Sequence, residues 1–194
     1  MKKIYLLLAI FFLFFLLSAA GCSHSQLRIP SLPLRGADLY PQEQNKDGLI
    51  VAADEYFDED KSRQAFGVNF AEKNVLIVEI IVSNRSDNIY MVQSNEVLLL
   101  KGDQIIYPIL ALEVSSDEQV NEYLNMVELR DIVVNPGETS HGFLYFRLPE
   151  KHPEEDGDDY FSSQWPVEGY KLRVGATQIE GNSRLIYTIY LRNL

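Results

Sequence analysis

Cysteine is nearly absent from this chain, since its 194 residues include only Cys22. The sequence therefore excludes an intramolecular disulfide, a Cys-x-x-Cys redox pair and a zinc site built from several thiolates. Apolar residues are not scarce: 46% of the residues are hydrophobic and 11% are aromatic, which argues against a disordered chain. The composition predicts a globular core, and the length suits one ordinary domain with terminal extensions.

Basic residues are outnumbered by acidic ones. The chain has 17 Lys and Arg against 28 Asp and Glu, for a formal net charge of −11. Proteins that bind nucleic acids use clustered Lys and Arg to contact phosphates, and the sequence contains no such cluster. We therefore expect no nucleic-acid partner.

Catalytic and metal-binding motifs are also scarce. The three histidines are His24, His141 and His152, and their spacing does not place two imidazoles on one metal ion. His141 follows Ser140, but neighbouring strand residues point to opposite faces, so this pair does not indicate a catalytic dyad. The chain lacks a Gly-x-Ser-x-Gly elbow, a phosphate-binding glycine loop and a dinucleotide fingerprint. We therefore expect neither enzymatic activity nor a cofactor.

Acidic residues form the only dense polar clusters, at positions 54–60 and 150–159. Asp156, Asp158 and Asp159 are the calcium candidates, because calcium takes roughly six to eight oxygen ligands from clustered carboxylates and carbonyls. The residue order of an EF-hand is absent, and like charges in an exposed loop need no metal ion. We therefore interpret both clusters as solvated surface and expect no metal site.

The amino terminus has the layout of a secretory signal. Two lysines at positions 2 and 3 precede an apolar run from 4 to 17, and small residues at 19–21 precede Cys22. The segment MKKIYLLLAIFFLFFLLSAAGC resembles a bacterial lipoprotein signal, in which two small residues come directly before the modified cysteine. The resemblance implies that a diacylglycerol is attached to the Cys22 sulfur, that the chain is cleaved before this residue and that the new amino group is acylated.

Lipidation explains the position of Cys22 better than two alternatives do. An uncleaved anchor would use residues 4–21, which number 18 against the roughly 20 that a membrane-spanning helix needs. Cleavage without lipidation leaves unexplained why the only cysteine directly follows three small residues. Two acyl chains are enough for stable attachment, because each buried methylene contributes about 0.8 kcal/mol.

The net charge of the cleaved chain and the residue that follows Cys22 indicate how and at which membrane the protein is attached. Removal of residues 1–21 deletes two lysines and no acid, which takes the formal charge from −11 to −13. Such a chain has no polybasic segment for anionic lipid, so the acyl chains would provide the membrane attachment. In Gram-negative lipoproteins a residue other than Asp after the cysteine accompanies export to the outer membrane. With Ser23 there, the resemblance implies the periplasmic face of the outer membrane if the host is Gram-negative.

The sequence divides into three regions. We predict a signal peptide over 1–21, the lipidated cysteine and a tether over 22–47, and a β-sandwich domain over 48–194. The tether region contains three prolines and many polar residues, which favour an extended connection. Its scattered leucines leave an alternative open, in which part of this region packs on the domain as an added edge.

Alternation with a period of two dominates the domain. Residues 75–84 are apolar on one face and mostly apolar on the other, which predicts a mostly buried strand. Strands over 170–177 and 184–191 flank a Glu-Gly-Asn-Ser turn, and strands over 97–100 and 105–110 flank a Lys-Gly-Asp-Gln turn. These patterns predict two β-hairpins.

One helix is predicted among these strands. Ser115 and Glu118 form a capping box, and apolar residues then recur at helical spacing up to Val127. Roughly eight to ten strands with a single short helix predict a mainly β fold, an antiparallel immunoglobulin-like sandwich.

Two segments support this fold by resemblance. Residues 133–149, VVNPGETSHGFLYFRLP, and residues 55–86, which end in a long aliphatic strand, are similar to segments of uncharacterised bacterial exported lipoproteins with immunoglobulin-like sandwiches. The resemblance covers about a quarter of the chain and implies a fold, but no reaction.

These observations favour a lipid-anchored, non-enzymatic binding or accessory module of the cell envelope. Its partners would be other envelope proteins, contacted through strand edges or loops. Two alternatives stay open. One is a carbohydrate- or peptidoglycan-binding module that uses Tyr160, Phe161 and Trp165, and the other is a hydrolase that works through the acidic loop at 150–159.

A substitution at Cys22 tests the lipid anchor. We expect Cys22→Ser to block maturation and to remove the protein from the membrane fraction, because serine cannot carry the thioether-linked lipid. Cell fractionation and mass spectrometry of the amino-terminal peptide measure both effects. A Cys22→Ser protein that is processed and fractionates like the wild type would rule out lipidation.

Overall fold

A computed structural model describes residues 34–149 and 169–191, and these fold into two antiparallel β-sheets packed face to face. The predicted mainly β sandwich is thereby confirmed. The strands are β1 (Gln44–Lys46), β2 (Leu49–Tyr56), β3 (Val75–Asn84), β4 (Tyr90–Lys101), β5 (Gln104–Ile106), β6 (Ile132–Val134), β7 (Thr139–Arg147), β8 (Tyr170–Gln178) and β9 (Arg184–Tyr190). The two helices of this part are α1 (Glu59–Phe66) and α2 (Glu118–Val127).

The first sheet, sheet A, has the strand order β1-β2-β3-β7. The second, sheet B, has the order β5-β4-β8-β9, and β6 also pairs with β4. Both predicted hairpins are present, as β4–β5 and β8–β9. The strand predicted over 105–110 ends at Ile106, because Pro108 has no N–H for a ladder and the chain then crosses to sheet A.

Strand β3 is buried along its whole length, as predicted. Leu76, Val78 and Ile80 face sheet B and belong to the core between the sheets. On the opposite face, Val75 and Ile77 pack with the apolar sides of α1 and α2. Sheet A is therefore covered on both faces, which explains why its central strand is apolar on both.

Helix α1 was not predicted, so the expectation of a single helix is wrong. It is only eight residues long, and it begins at the end of the acidic run at 54–60, which we interpreted as solvated surface. Asp58 is its N-cap and accepts a hydrogen bond from Lys61 N at 2.9 Å, and Gly67 ends it with a φ of 72°. The helix could not be recognised from the sequence, because it is short and mostly polar and its apolar face, which carries Phe66, is small.

Helix α2 is confirmed, although its cap differs from the prediction. Asp117, not Ser115, is the N-cap, and its carboxylate accepts from Gln119 N and Val120 N. Ser115 Oγ instead accepts from Asp117 N at 3.2 Å. An aspartate next to the helix therefore displaces the serine of the expected capping box.

The end of the region predicted as tether packs on the sandwich. Ala37 lies in a 3-10 turn (Ala37–Leu39), is fully buried, and donates its N–H to Ser83 Oγ at 2.9 Å. Strand β1 then extends sheet A by pairing with β2. An added edge therefore forms at β1, but the leucines that suggested it do not supply the packing, because Leu34 and Leu39 are 50% and 69% exposed.

Strand β1 also protects the free edge of sheet B. The Gln44 side-chain amide donates to Thr188 O and accepts from Thr188 N at 3.2 Å. Lys46 Nζ donates to Ile186 O on the same strand. Because an open strand edge can pair with other chains, these side chains shield β9 from such pairing.

The opposite side of the sandwich is closed by two crossing segments. One follows β5, and there Ile109 N donates to Tyr145 O at 2.8 Å. The other precedes β6, and there Leu129 N donates to Phe143 O at 2.8 Å. Leu129 lies so close to β7 that a Cβ on Gly142 would come within 2.7 Å of Leu129 Cα.

Substituting Gly142 tests this close approach. We expect Gly142→Ala to lower the free energy of unfolding by about 1–3 kcal/mol, because the new methyl group would force the backbone at Leu129 away from β7. Urea unfolding measures the change. Ser140→Ala on the same strand is the control and should change stability by less than about 0.5 kcal/mol. Equal stability of both variants would contradict the proposed contact.

Candidate functional site

An open groove of about 520 Å³ lies between the two crossing segments, and we call it the side groove. Its apolar lining comes from both crossings and from β7: Pro108, Ile109, Leu110, Leu129 and Leu144. Its polar lining comes from β4 and the second crossing: Ser94, Asn95, Glu128, Arg130 and Asp131. The groove thus lies where the edges of sheets A and B face one another.

The side groove exists because β4 is irregular. The register of β4 against β8 shifts between Val92 and Val97. On the edge of β4 opposite β8, β6 pairs with residues 90–92 and β5 pairs with residues 99–101. Among the described residues, no strand pairs with positions 93–98 on that edge, so this stretch borders the groove. The polar run Gln-Ser-Asn-Glu at 93–96, between two apolar runs, was the sequence signal for this irregularity.

Two of the groove's charged side chains hold its walls in place. Asp131 Oδ1 accepts from Ser94 N at 3.2 Å, which fixes the second crossing to β4. Glu128 Oε1 accepts from Ala111 N at 3.0 Å, which joins the two crossings. These two hydrogen bonds connect β4 and both crossing segments around the groove.

Two other polar side chains of the groove are free to bind. Asn95 and Arg130 are exposed, and neither side chain has a hydrogen-bond or ion-pair partner in the described part of the chain. The first crossing adds apolar surface beside them, since Tyr107 and Leu110 are 65% and 61% exposed. Exposed apolar surface with a polar rim is typical of interaction sites.

A second polar group lies on the outer face of sheet A, and we call Tyr56, Glu79 and His141 the Glu79 cluster. Glu79 is 4% exposed. Its Oε1 atom lies 2.6 Å from His141 Nδ1, and its Oε2 atom accepts from Tyr56 O–H at 3.1 Å. Both carboxylate oxygens therefore have partners, as a buried charge requires.

The charged residues next to the Glu79 cluster are also paired, and the cluster shifts the pKa values of its own members. Asp54 lies directly opposite Glu79 on β2, and Lys61 Nζ of α1 binds Asp54 Oδ1 at 2.5 Å. The hydrogen bond to Glu79 raises the pKa of His141 above its usual 6.5, against a smaller opposing effect of burial. Burial, followed by the charge of Glu79, raises the pKa of Tyr56 above its usual 10, so its hydroxyl stays a donor. The cluster fastens β2, β3 and β7 to one another.

The predicted site residues fall into two groups. Cys22 and the calcium candidates Asp156, Asp158 and Asp159 lie outside the described residues, as do the aromatic residues at 160–165. The acidic run at 54–60 is described, and three of its members have structural roles: Asp58 caps α1, Asp54 binds Lys61 and Glu59 binds Arg63 at 2.9 Å.

Within residues 34–149 and 169–191, no group of three or more His, Cys, Asp or Glu could hold a metal ion. In that same part of the chain, no helix is both long and apolar enough to span a bilayer. The Glu79 cluster and the side groove were not predicted as sites, because their members lie far apart in the sequence.

Comparison with known proteins assigns no family. No family model and no curated protein matches the chain. Among solved structures, the yjhA protein of Bacillus subtilis is 16% identical with a TM-score of 0.44, over 78% of this chain and 97% of that one. A candidate lipoprotein of the same organism, ycdA, is 14% identical with a TM-score of 0.42, over 77% of this chain. The chain spans 38% of the length of ycdA.

A third solved structure is the FixG-related protein of Vibrio parahaemolyticus, which is 9% identical with a TM-score of 0.36, over 77% of this chain and all of that one. Identities this low concern the fold alone. The similar proteins therefore include a candidate lipoprotein, but they define neither a ligand nor a reaction for this chain.

The raised pKa of His141 predicts a pH-dependent stability. A histidine whose pKa is higher in the folded state stabilises the fold fully below about pH 6.5, and this contribution is lost as the pH rises through the folded pKa. The difference in free energy of unfolding between the wild type and His141→Gln should therefore shrink as the pH rises above 6.5. Urea unfolding between about pH 5.5 and about pH 9 measures this difference.

Nuclear magnetic resonance titration of His141 provides the control. In Glu79→Gln the pKa of His141 should fall toward the ordinary value of 6.5, because the charged acceptor is gone. A wild-type His141 that titrates at or below 6.5 would contradict the hydrogen bond to Glu79.

Proposed function

We propose that this protein is a lipid-anchored, non-enzymatic binding module of the cell envelope that holds another envelope protein at the side groove. The observation that carries the anchor is the position of Cys22, the only cysteine, directly after three small residues and an apolar run. If the host is Gram-negative, Ser23 favours the periplasmic face of the outer membrane. The observation that carries the binding role is a groove with free polar and apolar groups.

The position of the groove supports this role. The described chain begins at Leu34, and the segment that follows it packs on β2 and β3 and then forms β1. Strand β1 is one edge of sheet A, whereas β7 and the side groove lie at the other edge. The first described residues therefore lie on the outer face of sheet A, and none of them is among the residues that line the groove.

The chemistry of the groove supports binding over catalysis. Its one hydroxyl, Ser94 Oγ, contacts Asp131 Oδ1 at 3.5 Å. Serine nucleophiles are activated by an adjacent base at about 2.6–3.2 Å, most often a histidine that a third group orients. His141 is bonded to Glu79 on the outer face of sheet A, so it does not supply that base.

Photocrosslinking in cells tests the binding role. A photoreactive amino acid at Leu110, on the groove wall, should form an adduct with one envelope protein. The same probe at Leu39, which is 69% exposed on the β2–β3 side, should not. Asn95→Trp, which places a bulky ring at the groove, should abolish the adduct at Leu110. Absence of an adduct, or equal adducts at both positions, would contradict the proposed function.

A further inference from the structure

We propose that the side groove binds an extended peptide segment of the partner protein, with one apolar side chain in the groove and a basic residue next to it. This inference rests on the proposed function, because it names the chemistry of the same binding site. It follows from three properties of the groove: its floor, its free polar groups and its charge.

The floor of the groove fits an apolar anchor. Leu129 and Leu144 are 2% and 3% exposed and belong to the core between the sheets, so an inserted side chain would contact the core itself. A volume of about 520 Å³ lies within the roughly 300–1,000 Å³ of ordinary ligand sites. Buried apolar anchors are the groups that contribute most to binding in protein interfaces.

The free polar groups fit a peptide better than a lipid chain. Five of the ten lining residues are polar or charged, and an acyl chain would cover these groups without giving them hydrogen bonds. The amide of Asn95 can donate and accept, which matches a peptide group, and the guanidinium of Arg130 can donate to a carbonyl. An extended segment offers both kinds of group beside each side chain.

The charge of the groove favours a basic partner. The carboxylates of Glu128 and Asp131 outnumber the one guanidinium of Arg130. Glu128 accepts a wall hydrogen bond through Oε1 alone, which leaves its Oε2 atom for a cation, whereas both oxygens of Asp131 already accept, from Ser94 N at 3.2 Å and from Gln93 Nε2 at 3.4 Å. The formal charge of −13 that remains after removal of residues 1–21 attracts basic segments over longer distances, an effect that salt screens.

Peptide selection tests the proposal. A phage library of random dodecapeptides is selected for binding to the full-length chain in lipid nanodiscs. We expect the selected peptides to share one apolar residue next to Lys or Arg. Fluorescence anisotropy with a selected peptide should then show binding that is at least about tenfold weaker for Leu110→Ser, which removes apolar surface without changing the charge of the groove. Leu39→Ser, at a leucine that is also largely exposed but lies away from the groove, is the matched control and should bind like the wild type. Affinity should also fall as NaCl rises from about 50 to about 500 mM.

Because Leu110 is exposed, Leu110→Ser should keep the melting temperature of the wild type, so that weaker binding reports on the groove. Selected peptides that lack the apolar and basic pair, or that bind both variants equally, would overturn the proposal. So would a photocrosslinker at Leu110 that captures only lipid or a second copy of this chain. A protein adduct at Leu110 without such a peptide would refute this inference alone, whereas absence of any protein adduct would refute the proposed function itself.

Discussion

The burial of β3 on both faces is the constraint on which the rest of this structure depends. All ten residues of Val75–Asn84 are buried, although only one face of sheet A contacts sheet B. Its other face must therefore be covered by elements outside the sandwich. Helices α1 and α2 cover one end of that face, and the segment with Ala37 covers the other. The two α-helices and the packed amino-terminal segment are thus consequences of a strand that is apolar on both sides.

The Glu79 cluster and the side groove follow from the same arrangement. Glu79 lies on the outer face of β3, where the cover excludes water, so His141 and Tyr56 must satisfy its carboxylate. The chain passes between the sheets at Ile109 and Leu129 to supply α2 and return to sheet B, and the space between these two crossings is the side groove. The side groove therefore forms because the chain must cross between the sheets to place α2 over the outer face of sheet A.

Local patterns predicted the parts of the fold that depend on neighbouring residues. Alternation identified β3 and the β8–β9 hairpin, and helical spacing identified α2. Helix α1 was missed because it is short and polar, and the cap of α2 was misplaced because Asp117 competes with Ser115. The candidate sites could not be predicted, because their contacts join distant residues: Glu79 and His141 are 62 positions apart, and the groove combines four separate segments. Only the pairing of the strands brings these groups together.

Native-state amide hydrogen exchange of the full-length protein, followed by mass spectrometry, tests the covering of sheet A most directly. Amides that open only when the whole domain unfolds exchange slowest, and exposed segments with few contacts exchange fast. Amides of β3 should exchange only by global unfolding, whereas those at 93–96 and 107–112, which border the groove, should exchange much faster. Exchange of β3 at the rate of the groove segments would show that the outer face of sheet A is not covered and would contradict the account.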